Sequence, residues 1–235
     1  MKTHRFIGDF SLKTGSLNIK DKDFLNQFRN VLKLKVGEKI ILGDGKGNEG
    51  AAEIKEYGKD FVKVEISEIK KNHNEPEIQA ILYCAILKKE NFELVVQKAT
   101  EVGVTSIVPI ISARTVKLNL RMDRLDKIAK EAAEQSGRGI VPVIHEPISF
   151  KESVEVAKNN DLNTLFDISG VSFSQLGRLN NQNKIGVWIG PEGGWEPQEL
   201  ELIRKSDFKI ISLSKFTLRA ETAVIVAAYN IIHNL

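Results

Sequence analysis

The sequence predicts an α/β protein in two parts, a small β-barrel followed by a larger α/β domain on a mainly parallel sheet. Three observations predict it. Residues 1 to about 70 hold short apolar runs bounded by turn signals. After Pro76, apolar strands alternate with stretches of helical spacing, which implies parallel strands joined by crossovers. Between them, Lys70-Lys71-Asn72-His73-Asn74-Glu75-Pro76 is polar, ends in proline, and reads as a linker. The domains are accordingly placed at residues 1–72 and 73–235.

In the first part, Asp23–Leu32 is consistent with a helix. Lys39-Ile40-Ile41-Leu42 reads as a strand, followed by the strong turn cluster Gly43-Asp44-Gly45-Lys46-Gly47-Asn48. Ala51-Ala52-Glu53-Ile54 and the alternating Phe61-Val62-Lys63-Val64-Glu65-Ile66 read as antiparallel strands, and a small barrel is their natural packing. In the second part, Gln79–Leu87 is an apolar strand. Phe92, Val95, Val96, Ala99 and Val102 fall at helical spacing before a stop at Gly103. Thr105–Ile111 is a strand, and Leu125, Ile128, Ala129 and Ala132 mark a second helix. Asn163–Asp167 and Ile185–Ile189 are short strands, and a helix starts near Pro197. Phe208–Leu213 is the last strand. Ala220–Asn234 is the last helix, so apolar all round that burial on several sides, or a subunit interface, is expected.

Composition narrows the function classes. Of 235 residues, 42% are hydrophobic and 28% charged, as in ordinary globular chains. No apolar run is long enough to span a bilayer, and the first residues lack the apolar core of a signal peptide. The single cysteine, Cys84, lies in the apolar run Ala80–Leu87 and reads as a buried, inert thiol. These features predict a cytoplasmic protein without a membrane anchor. The four histidines are scattered and show no metal-ligand spacing, so no metal is expected. No nucleophilic triad stands out. The net charge is +3, and all of it falls in residues 1–70, which hold 14 basic and 11 acidic residues against 20 of each beyond. That distribution weakly favours an N-terminal module that meets phosphates.

Three clusters carry the candidate chemistry. The first is Ile189-Gly190-Pro191-Glu192-Gly193-Gly194, where a strand ends and a helix begins. Ligands bind at such strand ends in open α/β sheets, although a plain tight turn explains the glycines as well. It has neither the spacing of a dinucleotide fingerprint nor a P-loop lysine. The second is Leu213-Ser214-Lys215-Phe216-Thr217-Leu218-Arg219, which leads into the last helix and pairs with the first as a two-loop crevice. Arg219, beside an apolar helix, is expected to need a partner, and Glu221 suits the helix N-terminus. The third holds Glu131, Glu134, Gln135, Ser136 and Arg138. Glu134 with Arg138, and Lys98 with Glu101, are equally readable as surface ion pairs.

Taken in order, the motifs resemble a known family. They are His4-Arg5-Phe6, Val31–Glu38 with Gly43-Asp44-Gly45, Glu93–Gly103 (ELVVQKATEVG), Glu131–Arg138 (EAAEQSGR), Ile189–Gly194 (IGPEGG) and Leu218–Ala223 (LRAETA). The chain is similar over nearly its whole length to the bacterial 16S ribosomal RNA uridine-N3 methyltransferases of the SPOUT superfamily. The last three motifs are the specific ones. The resemblance implies a PUA-like RNA-binding barrel, a SPOUT domain with a deep trefoil knot, a homodimer, and S-adenosylmethionine as cofactor. The cofactor would be held by Ile189, Gly190, Pro191, Glu192 and Gly194, by Leu213, Ser214, Lys215 and Leu218, by Leu165 and Phe166, and by Thr222. Two departures from the family pattern stand out: Ser214 occupies a position where glycine is frequent, and Lys33 one where arginine is usual.

For that substrate, uridine N3 must lose its proton before it attacks a methyl group. Arg219 would stabilise the negative charge that spreads onto the uracil oxygens. Gln135 and Arg138 would orient the base, and Glu192 is a candidate proton acceptor. Arg5, Arg29, Lys33 and Lys35 would contact phosphates of 16S rRNA or the small ribosomal subunit. Ribose 2′-O-methylation and a non-enzymatic RNA-binding assembly factor are the alternatives. The barrel and the EQSGR segment favour base methylation, and the intact loops favour an enzyme.

Overall fold

A computed structural model describes residues 3–115, 119–177 and 182–233. The chain forms two compact units. One is the chain up to Glu75 together with Ala133–Val141, and the other is Pro76–Ala132 with Pro142 onward.

The first unit contains β1 (His4–Ile7), β2 (Gly15–Ile19), α1 (Lys22–Asn26), a π-helical turn (Gln27–Val31), β3 (Lys39–Gly43), β4 (Asn48–Tyr57) and β5 (Val62–Lys71). Its sheet runs β1-β3-β4-β5-β2, antiparallel except between β1 and β3. The alternation seen in sequence sets the inner face: Val62, Val64 and Ile66 are buried with Ile40, Leu42 and Ile54. Phe6, Phe24 and Phe28 complete this core, with Phe6 and Phe28 only 4.3 Å apart at their ring centroids. Asp21 caps α1 by accepting from the Asp23 and Phe24 amides at 2.9 and 3.1 Å. Lys33 ends the helical segment at φ 53°, the sole non-glycine with positive φ among the described residues. Lys70 and Lys71, read from sequence as linker, are the last residues of β5. Asp44 closes the β3–β4 turn, accepting from Lys46 N (2.7 Å), Asn48 N (3.0 Å) and Asn48 Nδ2 (2.6 Å).

The second unit holds β6 (Gln79–Ala85), α2 (Lys89–Val102), β7 (Ser106–Ile111), α3 (Met122–Ser136), β8 (Val143–Ile144), β9 (Ile148–Ser149) and α4 (Phe150–Ala157). The last turn of α3 belongs to the first unit. There follow β10 (Leu162–Ser172), β11 (Lys184–Ile189), α5 (Pro197–Lys205), β12 (Phe208–Ser212) and α6 (Ala220–His233). The sheet order is β12-β10-β11-β6-β7-β8, with β9 also on β7, and every pairing is parallel. Tyr83, Leu165 and Trp188 pack with Phe150 and Val154 of α4 and Ile203 of α5. The alternate residues Leu82, Cys84 and Val187 are buried as well. Both faces are therefore covered, which is why these strands read as unbroken apolar runs.

Of the two expected readings of the last helix, burial on several sides within the chain does not hold. The helix packs on α2, β6 and β11 and buries Val224, Ala227, Ala228 and Ile231, while Thr222 and Tyr229 stay exposed. One face is covered, not several; Asn234, its expected last residue, lies outside the described residues. No helix among the described residues is long and apolar enough to cross a membrane.

Candidate active site

Two parallel strand ends and the middle of β10, where its register shifts after Phe166, build the site. In the sheet β10 lies between β11 and β12, and Phe166 is level with Ile189 on one side and Ile211 on the other. The chain leaves β11 into the glycine-rich turn and β12 into the Leu213–Arg219 loop, so both expected cofactor loops start at one edge beside Phe166.

The first loop is shaped by close contact. Gly194 N donates to Pro191 O at 2.8 Å and closes a turn. A Cβ on Gly190 would lie 3.0 Å from the Trp195 ring, so a larger residue would make the indole or the backbone give by a few tenths of an ångström. Trp195, itself buried, donates from Nε1 to Phe166 O at 3.3 Å and so ties the turn to β10. Gly194 has φ 71°, and a Cβ there would meet nothing within 4 Å, so the turn faces open space on that side. Ile189 and Pro191 are buried, while Glu192 points to solvent. Burial first, and the Glu192 charge second, push the Cys84 thiol far above its ordinary range. The thiol is held protonated, as its apolar setting in the sequence suggests.

The second loop is pinned by serines. Ser212 Oγ donates to Ser214 O at 3.1 Å, and Ser214 Oγ donates to Phe216 O (2.9 Å) and accepts from Phe216 N (3.1 Å). Ser214 keeps negative φ, so nothing here demands glycine, and its hydroxyl supplies the turn's fastening. Lys215 is exposed and Leu218 half-buried. Arg219 corrects an expectation. Its side chain is 87% exposed and lies 4.0 Å from Glu221 Oε1, so water serves the guanidinium and no partner is required. Thr222 is exposed in the first turn of α6. Leu165 has its side chain in the core under α4 and α5, which leaves only its main chain to face a ligand.

A fourth segment, not anticipated from sequence, reaches this edge. After β7, Ala113 N donates to Glu199 Oε1 at 2.9 Å, and Glu196 N donates to Glu199 Oε2 at 2.8 Å. Arg114 pairs with Glu196 (2.6 Å) and donates to Gly193 O. The Glu196-Pro197-Gln198-Glu199 spacing at a helix start was the available signal.

The candidates of the first unit divide sharply. Arg138, read as a base-orienting group, is buried at 4% exposure and pairs with Glu75 at 2.8 Å. Glu75 Oε1 also accepts from Gly139 N (2.9 Å) and Ile140 N (3.0 Å), so the pair straps the chain after α3. Glu134 accepts from Ile7 N at 2.7 Å, which ties α3 to β1. Gln135 remains exposed. Arg5 pairs with Glu49 at 3.1 Å, both largely buried. Arg29 donates to the carbonyls of Gly58, Lys59 and Phe61 and sits over the Tyr57 ring. Both guanidinium groups, expected to meet phosphates, are engaged in contacts within the unit. Lys33 and Lys35 are exposed. Lys98 and Glu101 pair at 2.9 Å on α2, the plain alternative for them. Among the described residues no group of three or more His, Cys, Asp or Glu could hold a metal.

The RNA methyltransferase domain family matches residues 74–232, and the RNA methyltransferase PUA domain family matches residues 28–67. Ribosomal RNA small subunit methyltransferase E of Mesomycoplasma hyopneumoniae is 38% identical, over 69% of this chain and 73% of its own. The protein of that name from Rickettsia conorii is 30% identical, over 97% and 94%. A ribosomal RNA small subunit methyltransferase E from Neisseria gonorrhoeae, solved bound to S-adenosyl methionine, aligns with TM-score 0.87 and 29% identity, over 98% of both chains. A Legionella pneumophila methyltransferase, solved with bound SAM, aligns with TM-score 0.88 and 28% identity, over 97% and 96%.

Proposed function

This chain belongs to the ribosomal RNA small subunit methyltransferase E family, and we propose that it methylates N3 of a uridine in 16S ribosomal RNA with S-adenosylmethionine as donor. The observation that carries the reading is that β11 and β12 end level with Phe166, the β10 residue before its register shift, so that Leu165–Phe166 and the two loops expected to hold that cofactor lie at one level of the sheet. The cofactor fits what is present: a turn open on the Gly194 side, a backbone laid against Trp195, and a second loop fastened by its own serines. Main-chain groups of Ile189–Gly194, Leu213–Leu218 and Leu165–Phe166, with Thr222, would hold it. When bound, it supplies an electrophilic methyl group on a sulfonium.

The residues do the rest. The loops fix the reacting centre so that N3 lies in line with the methyl group. Glu192, exposed on the turn, is the proposed acceptor of the N3 proton. Arg219, free of any strong partner, can turn toward the uracil oxygens as they gain charge. Gln135 keeps the role of touching the base, whereas Arg138 is withdrawn to a structural one. Lys33 and Lys35 contact phosphates. The trefoil knot belongs to this proposal: the chain passes from β10 to β11, crosses to β12 on the other side of β10, and returns as α6 against β11 and β6. So do a homodimer on the exposed side of α6 and a cytoplasmic location beside the ribosomal substrate. Arg219→Ala should lower methyl transfer at least tenfold while the cofactor dissociation constant stays within twofold. Unchanged transfer in that variant would remove Arg219 from the mechanism.

A further inference from the structure

We infer that Glu199 and Arg114 are positioning residues that set cofactor affinity by strapping the loop after β7 onto the Gly190–Gly194 turn. The inference rests on the cofactor reading above and concerns residues outside the motifs that led to it. Glu199 is a buried carboxylate, 8% exposed, and its two oxygens accept amides from two different segments, Ala113 at 2.9 Å and Glu196 at 2.8 Å. A buried carboxylate is costly unless answered, and here main-chain donors answer it. The Ser112–Thr115 turn is closed locally: Thr115 N donates to Ser112 O at 3.1 Å, and Thr115 Oγ1 accepts from Ser112 N at 3.0 Å. Glu199 thus fixes a turn that is already rigid.

From that turn Arg114 reaches the glycine-rich segment. Its Nε pairs with Glu196 at 2.6 Å, Nη1 donates to Gly193 O, and its stem lies 3.1 Å from where a Cβ of Gly193 would be. The carbonyl of Gly193 is held by Arg114, while Trp195 packs against Gly190. Strand β6 lies between β7 and β11, so the β7 loop spans a strand to make this contact. Glu192 and Gly193 are the central residues of the Pro191–Gly194 turn, and that peptide would otherwise be free to rotate.

The test uses the full-length protein, with S-adenosylmethionine binding measured by calorimetry and KM and kcat by transfer to 16S RNA. Arg114→Ala and Glu199→Gln should each weaken cofactor binding about five- to twentyfold. KM for the cofactor should rise in parallel, with kcat within about threefold. Arg114→Lys should recover part of the affinity, and Arg114→Ala with Glu196→Gln should lose no more than Arg114→Ala alone. If Glu199→Gln fails to fold, Arg114→Ala on the half-exposed arginine carries the test. Wild-type affinity in Arg114→Ala would overturn the inference. A wild-type protein that binds no S-adenosylmethionine would instead overturn the cofactor reading.

Discussion

Arg138 carries a full charge at 4% exposure, and a charge so placed must be answered within the protein. Glu75 answers it, and the same carboxylate takes two backbone amides. Arg138→Ala should therefore cost about 3 kcal/mol, the usual penalty for removing one partner of a buried pair, read as a lower midpoint in urea. Any loss of methyl transfer should track that unfolding; a fully stable but inactive variant would return Arg138 to the site. Arg5 and Arg29 follow the same logic. A basic residue in a basic module reads as a phosphate contact, and only the fold reveals that Glu49 and three carbonyls have claimed the guanidinium groups. Arg219 errs in the opposite direction, because a position next to an apolar helix does not place a long side chain against its buried face.

At the scale of elements, strong local signals carried through. The Gly43–Asn48 cluster is the β3–β4 turn, Gly103 ends α2, and Pro197 opens α5. What escaped depended on distant partners or on short length. Strand β1 has four residues and is defined by parallel pairing with β3, more than thirty positions away. Helix α4 does carry a local mark, the Ser149–Glu152 capping box ahead of Val154 and Ala157. The Asp44 turn yields a pH prediction. Burial raises its carboxyl, but hydrogen bonds from Asn48 and the Lys46 and Asn48 amides outweigh that, so its pKa lies below the ordinary value. A lowered folded pKa means stability present above the unfolded value near 4 and lost as pH falls through the folded one. Asp44→Ala should thus cost roughly 1 kcal/mol at pH 7 and little near pH 2. An equal cost at both, by denaturant melts, would show that the carboxylate charge is irrelevant to the turn.

For the whole molecule, the two-part plan and the parallel sheet were legible from texture alone, because a sheet covered on both faces writes apolar runs. The return of Ala133–Val141 to the first unit was not, since nothing in those residues marks which neighbour claims them. The cofactor loops were legible as motifs, while the level alignment that makes them one site is a property of strand order. Helix α6, covered on one face and apolar beyond it, argues for a second copy there. Sedimentation should give twice the 26.3 kDa chain mass, and Tyr229→Glu on the exposed side should shift it toward monomer. A monomeric wild type would remove the dimer. Whether this chain makes N3-methyluridine is decided by nucleoside mass analysis of 16S RNA from cells lacking the gene and from cells with it restored. N3-methyluridine should be lost from one position and regained with the wild-type gene, and not regained with Arg219→Ala. Unchanged N3-methyluridine, or a methyl group lost from a ribose instead, would contradict the proposed activity.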